Sequence, residues 1–528
     1  MYFCGVKTKK NKTLHFFRKY HKWLGLIFAV FLVIYSLSGI ILNHRSLLAG
    51  VDVSRDLMPE RYTYNNWNMG ALRGGQQIGP DSILMYGNMG IYLANTHLED
   101  LEDYTQGLPL GMDNKKVYSI YKTQKGNLYM GSLKGAFYRD FTDNIWVKIA
   151  LDSEDERIVD ISEQNGKIVL LSRSYVFISD DDPMNLQFTK ILPKNPANYD
   201  NKVGLFKTTW LIHSGEIYGH TGKLIVDLVG IIFILLSIGG IVYFFMPKKI
   251  KKDYKDGKSV EKTKGFHKWN LRWHNRLGYW SIVFLLITTI TGIFLRPPGL
   301  LVIASSKVAK IPYTKVDTPS AWFDKLRAIH YDDVSHEYYL LTDERAYRVD
   351  TLFKNQPQLF KVQPPISIMG VTVFEKVAED SFLVGSFAGL FLWQPLQGFI
   401  YDYQHQKAYE NVVTFGPPIK NSAITGWLRN QEGEDFYIDY DIGLSAIVPS
   451  YKSPKMPQIV KHSPISLWNY ALEIHTGRFF SFLFGIFYIF IVPIVGFGIF
   501  YIFIVPIVGF ATIFILVSGF VVWWKRFR

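Results

Sequence analysis

Four apolar runs, at about 23–42, 224–246, 279–300 and 479–524, approach or exceed the roughly 18–20 residues that cross a hydrocarbon layer. Inside a bilayer each backbone N–H and C=O needs a partner within the protein, so runs of this kind are expected to be helices. The first is preceded by more than 20 mostly polar residues and has no small-residue cleavage site, which predicts a retained anchor rather than a signal peptide.

Charge sets an expected orientation. The net charge of +13 is carried by residues 1–22, by the stretch 247–276 and by the C-terminal Lys525-Arg526-Phe527-Arg528, while the remainder is slightly acidic. Such clustering beside membrane spans follows the positive-inside rule and gives no support to nucleic acid as a partner. It predicts a basic tail (1–22), TM1 (23–42), an external segment (43–222), TM2 (223–246), a basic cytoplasmic loop (247–278), TM3 (279–300), a second external segment (301–475) and TM4 (479–524), with both termini cytoplasmic. The single cysteine, Cys4, excludes an intramolecular disulfide and a Cys-x-x-Cys-His attachment site, so any haem would be non-covalent.

TM4 contains an oddity. Gly485–Phe497 is repeated identically as Gly498–Phe510. The resulting run of about 46 residues would reach roughly 69 Å as one helix. With Pro493 and Pro506 inside it, one distorted span is expected.

In the external segments the period changes. Asn127–Ser132, Gly135–Asp140, Lys167–Ser172 and Tyr175–Ser179, then Glu337–Thr342, Phe382–Ser386 and Gly389–Trp393, are short apolar or alternating runs bounded by Gly, Asn, Asp and Ser, which signal strands and turns. In Asn127–Asp140 and Phe382–Trp393 a strand ends in Gly-Ser, and a Gly soon opens an aromatic strand. That recurrence is expected of propeller blades. The fold class is therefore a membrane protein of α+β type: a four-helix transmembrane bundle built from an internal duplication, with a large β-rich external domain, either one propeller split between the segments or two separate β domains.

The duplication rests on a collar at the start of TM1 and TM3. Arg18-Lys19-Tyr20-His21-Lys22-Trp23-Leu24-Gly25 matches Arg272-Trp273-His274-Asn275-Arg276-Leu277-Gly278, and Ser38-Gly39 matches Thr291-Gly292 without a gap. Of the 13 histidines, His21, His44, His213, His274 and His475 fall at span ends. A lone interface histidine is commonly just hydrogen-bonded or solvated. A twofold relating the halves would instead pair His21 with His274 and His213 with His475, two bis-imidazole sets such as haem iron accepts within a bundle. Gly25 and Gly278, one turn after their histidines, would clear room for a porphyrin or allow close helix packing. His220 and His267 are alternatives. His213 is preferred because Leu211-Ile212-His213-Ser214-Gly215 parallels Glu473-Ile474-His475-Thr476-Gly477.

The His-x-x-x-Gly collars, the Ser/Thr-Gly exits, His475-Thr476-Gly477-Arg478 and the order of helix pairs enclosing external domains resemble the PepSY-associated transmembrane helix family. This resemblance covers the membrane segments, about a quarter of the chain, and the external segments look blade-like rather than like small PepSY modules. It implies a bacterial inner-membrane protein holding two b-type haems through His21, His274, His213 and His475, with His44 a further cofactor-binding candidate and the large domain periplasmic. It also implies electron transfer from a quinol or cytoplasmic reductase to an external ferric siderophore or other iron chelate, in iron acquisition. A sensor or assembly protein, with a ligand-binding β cap and structural histidines, is the competing reading. No Walker, Rossmann or Ser/His/Asp pattern is present.

Overall fold

The computed structural model describes residues 12–480, except 96, 99, 154–156, 368, 410–421 and 452, together with residues 504–527. Two compact units emerge. One comprises Met1–Ser46, Lys202–Asp317 and Trp468–Arg528, and the other Leu47–Asn201 with Thr318–Leu467.

The first unit is helical: α1 (Lys12–Asn43), α2 (Leu205–Ser214), α3 (Gly219–Lys255), α4 (Glu261–Phe294), α5 (Leu467–His475) and α6 (Ile504–Phe527). Lys12–Asn43, Glu216–Lys255, Glu261–Phe294 and Ile504–Lys525 are long and apolar enough to cross a membrane. Each of α1 and α4 packs against both α3 and α6. Val229, Phe233, Leu285 and Leu516 fill the centre of this bundle.

The helices outrun the apolar segments that predict them. Helix α3 continues through Pro247 to Lys255, and only a short turn with Gly257 at φ +68° separates it from α4. Most of the expected basic loop is therefore helical. Lysine is a good helix former and carries its charge to water on a long stem, so a span can extend beyond the hydrocarbon. For the tandem repeat, α6 takes in Ile504–Phe510 of the second copy. Of the two prolines expected to distort this span, Pro506 lies within α6, and Pro493 lies outside the described residues.

Short α2 and α5 end alike. Gly215 (φ +77°) follows His213-Ser214, and Gly477 (φ +75°) follows His475-Thr476. A left-handed residue is the usual way to close a helix, and glycine adopts it without a Cβ penalty. Gly215 is needed for a second reason: a Cβ there would lie 2.1 Å from the Gly222 carbonyl oxygen.

Among the described residues, the second unit holds a ring of six antiparallel sheets, beside a two-stranded pairing of Asp52–Val53 with Ile465–Ser466. Their first strands are Gly74–Gly79, Val117–Lys122, Ile158–Gln164, Leu326–Asp332, Val371–Ala378 and Ile424–Arg429. Each first strand neighbours those of the adjacent sheets, and the ring closes by one parallel pairing of Gly74 with Trp427. Six apolar clusters fill the six gaps between successive sheets. This is propeller architecture, with three blades from each of the two β-rich segments.

Sequence accounts for the blades locally. In the second, third, fourth and fifth sheets the second strand ends at Ser132, Ser172, Thr342 or Ser386, and that hydroxyl oxygen accepts a backbone N–H of the following turn. Side chains also satisfy the buried inner edges of the first strands: Asp160 accepts from Ile329 N at 2.8 Å, and Ser162 Oγ from Tyr331 N at 3.0 Å. Without such partners, a free edge would leave its polar groups unpaired.

Candidate functional site

Two imidazole pairs lie at opposite ends of the helical unit. The His21 and His274 ring centres are 6.2 Å apart at 84°, and those of His213 and His475 are 6.0 Å apart at 53°. Along α1, 18 residues separate His21 from Gly39, which touches His475. Along α4, 18 separate His274 from Gly292, which touches His213. That is roughly 27 Å of helix rise, near the hydrocarbon thickness of about 30 Å.

Each ring rests in a cradle on a neighbouring helix. His475 Nδ1 donates to the Tyr35 carbonyl at 2.9 Å and lies 3.1 Å from Ser38 Oγ, and a Cβ at Gly39 would come 3.1 Å from its Cε1. His213 Nδ1 donates to the Thr288 carbonyl at 3.0 Å and lies 3.2 Å from Thr291 Oγ1, with Gly292 2.9 Å from its Cε1 on the same construction. His21 does the same on α6, through Ile515 O at 2.9 Å, Ser518 Oγ at 3.2 Å and Gly519. His274 lies against Gly239 and Gly240 with the Leu236 carbonyl as its backbone neighbour, but without hydrogen-bond geometry at Nδ1. The common element is a carbonyl four residues before a glycine, with a hydroxyl preceding that glycine in three of the four cases.

This cradle dictates a tautomer. A carbonyl only accepts, so Nδ1 must carry the proton, and a neutral imidazole then presents a lone pair at Nε2. The hydroxyls of Ser38, Thr291 and Ser518 already donate to their own helices. They too are left to accept from Nδ1. An Nδ1–H fixed on a carbonyl is the outer-shell arrangement that orients an imidazole to ligate through Nε2.

The other candidates go elsewhere. His44 Nε2 bonds Asp227 Oδ2 at 2.8 Å, so the structure does not bring His44 into either pair. His267 stacks on Tyr243 with ring centres 5.3 Å apart, and His220 is exposed. A Cβ at Gly25 would meet nothing within 4 Å, and at Gly278 only Leu236 Cδ2 at 3.8 Å, so neither glycine serves tight helix packing. Sequence reasoning found the histidines and the Ser/Thr-Gly exits but missed their relation, along with Gly519, Gly239, Gly240 and Asp227. Searching the remaining spans for the same exit would have found Ser518-Gly519.

The family model of the PepSY-associated TM region matches residues 18–526. The chain belongs to this family. No curated protein matches it. Among solved structures, this PepSY-family chain is similar to a structural genomics protein of unknown function from Bacteroides thetaiotaomicron (8% identity, 75% of this chain and 74% of that one, TM-score 0.36). It is also similar to the extracellular domain of a hybrid two-component system from the same organism (10% identity, 74% of this chain, TM-score 0.34), of which it spans only 40%. A third is PorZ of the Porphyromonas gingivalis type-IX secretion system (9% identity, 75% and 39%, TM-score 0.26). These likenesses are too distant to bear on function. With four apolar helices and this family, the chain is a membrane protein.

Proposed function

We propose that this PepSY-family protein is a di-haem electron carrier of the bacterial inner membrane, moving electrons from a quinol or cytoplasmic reductase to an external ferric chelate such as a siderophore. The observation that carries the reading is the pair of cradled imidazole sets, one near each end of the spans. Two imidazoles sharing an iron through Nε2 at roughly 2 Å each, with each ring centre about 1.2 Å behind its nitrogen, have centres about 6 Å apart. Both pairs meet that spacing. Among the described residues no group of three or more His, Cys, Asp or Glu is disposed to hold a metal ion. A two-ligand site suits a metal whose remaining positions are filled by a macrocycle, whereas zinc would need three or four protein ligands.

Within this reading His21, His274, His213 and His475 would hold two b-type haems. The haem supplies one-electron redox chemistry when bound. The carbonyls of Tyr35, Thr288 and Ile515 keep three of the ligand nitrogens unprotonated, and the glycines let the rings approach the neighbouring helix. The basic runs would face the cytoplasm and the propeller the periplasm.

The test is haem stoichiometry. Wild-type protein is expected to give two haems per chain by pyridine haemochrome, while His274→Ala and His475→Ala each retain one, with different midpoint potentials. Retention of both haems in either variant refutes that ligand assignment. Colourless, well-folded wild-type protein after haem-supplemented expression would favour the sensor reading.

A further inference from the structure

The helical unit contains an ionisable pair that the haem reading leaves unused. Asp227 lies within α3, inside a membrane-length span, and is only 7% exposed. Its Oδ1 accepts from Asn43 Nδ2 and its Oδ2 bonds His44 Nε2, both at 2.8 Å. An acid at such a position is costly and marks a functional group unless its only role is structural. Both Asp227 oxygens are therefore engaged by side-chain nitrogens, Oδ2 by His44 through Nε2. The His44 side chain remains 30% exposed, and its Nε2 is the ring nitrogen held by Asp227.

The pair stands close to one redox site of the reading above. His44, one residue past the end of α1, follows Gly39, the residue touching His475, by five positions, about 7.5 Å at helical rise. Other charges at this end have partners: Lys223 and Lys315 with Glu216, Arg478 with Glu473, and Arg45 over the Trp468 ring. Arg296, just beyond α4, is near enough to act electrostatically on Tyr35 and His475.

We infer that His44 and Asp227 form the proton-accepting group coupled to reduction at the His213–His475 end, an inference that rests on the di-haem reading. As one electron from the quinol or reductase arrives there, one proton from water binds His44 Nδ1. The imidazolium is held by Asp227 through Nε2–H, so the added negative charge is balanced and no other bond changes. A unit charge roughly 10 Å away, at an effective dielectric of about 20, favours protonation on the order of tenfold. Asp227 thus positions and stabilises the protonated form, while His44 carries the proton.

The experiment uses the full chain in lipid nanodiscs, with haem content measured first. Absence of haem there refutes the di-haem reading and this inference with it. With two haems bound, the transition lost in His475→Ala is titrated spectroelectrochemically from pH 6 to 8.5. Its midpoint should fall as pH rises in the wild type, and be nearly pH-independent in His44→Gln and Asp227→Asn, with the other transition unmoved and haem content unchanged. In parallel, proton uptake by the wild type on electrochemical reduction through a proton-independent mediator is read as a pH change in weak buffer, which needs no variant to fold. A pH-independent wild-type midpoint, no proton uptake, or a pH dependence that survives in both variants would overturn the proposal while leaving the two haems in place.

Discussion

At the scale of single residues, the glycines that cradle an imidazole are distinct from those that face open space. At Gly292 a side chain would collide with His213, which its bonds to Thr288 and Thr291 prevent from swinging aside. Gly292→Val should therefore leave about one haem per chain, lost from the His213–His475 end. Gly25 faces open space, so Gly25→Leu should remove the other haem if that space admits the porphyrin. Pyridine haemochrome assay of both variants checks this, and full retention by Gly25→Leu would show that the residue only faces lipid. The four ligand candidates were legible in the sequence because matched collars and His-Ser/Thr-Gly ends fall at corresponding places. Their cradles were not, because the relation of His21 to Gly519 depends on which helix packs on which, and nothing local to either residue encodes it.

At the scale of elements, the propeller's first strands carry an unusual carboxyl. Burial pushes Asp160 up to about 7, against the lowering influence of the Ile329 and Ile161 N–H groups and Ser119. An acid whose folded value is raised favours folding while it is protonated in both states, and that advantage declines as pH climbs from about 4 to about 7. The melting temperature of the propeller transition should fall across that window. Asp160→Asn, which keeps an oxygen for the Ile329 N–H, should flatten the dependence in calorimetric scans at pH 5 and pH 8. An unchanged slope would mean that other groups set it. The blades themselves could be read ahead, since a strand ending in Gly-Ser before a Gly-initiated aromatic strand is the turn between second and third strands at Ser132 and Ser386. The six-blade count could not, because the third blade has Leu171-Ser172 and the fourth Leu341-Thr342 at that place, and the shared feature is the hydroxyl rather than the glycine.

At the scale of the whole molecule, the ring closes only because two segments separated by α2, α3 and α4 meet twice. Each junction is sealed by a fully buried tryptophan whose indole N–H donates into the other segment: Trp67 to the Pro454 carbonyl at 3.3 Å, and Trp322 to the Pro193 carbonyl at 2.9 Å. Around them pack Leu72, Met85, Phe436 and Ile438 at one junction and Val169, Leu171, Leu326 and Leu340 at the other. A fragment of residues 48–201 would expose one half of each cluster, and unpaired blade faces of this kind associate non-specifically. It should aggregate alone and become monodisperse when co-expressed with 318–467, as size-exclusion chromatography can establish. Trp322→Ala in the full chain should cost about 3–5 kcal/mol, the range for emptying a large aromatic site, and lower the propeller's melting temperature in calorimetry. A monomeric, cooperatively melting 48–201 fragment would show instead that three blades suffice. The two tryptophans would then be fastening independent halves, the first of them able to fold before the spans that follow it have been inserted.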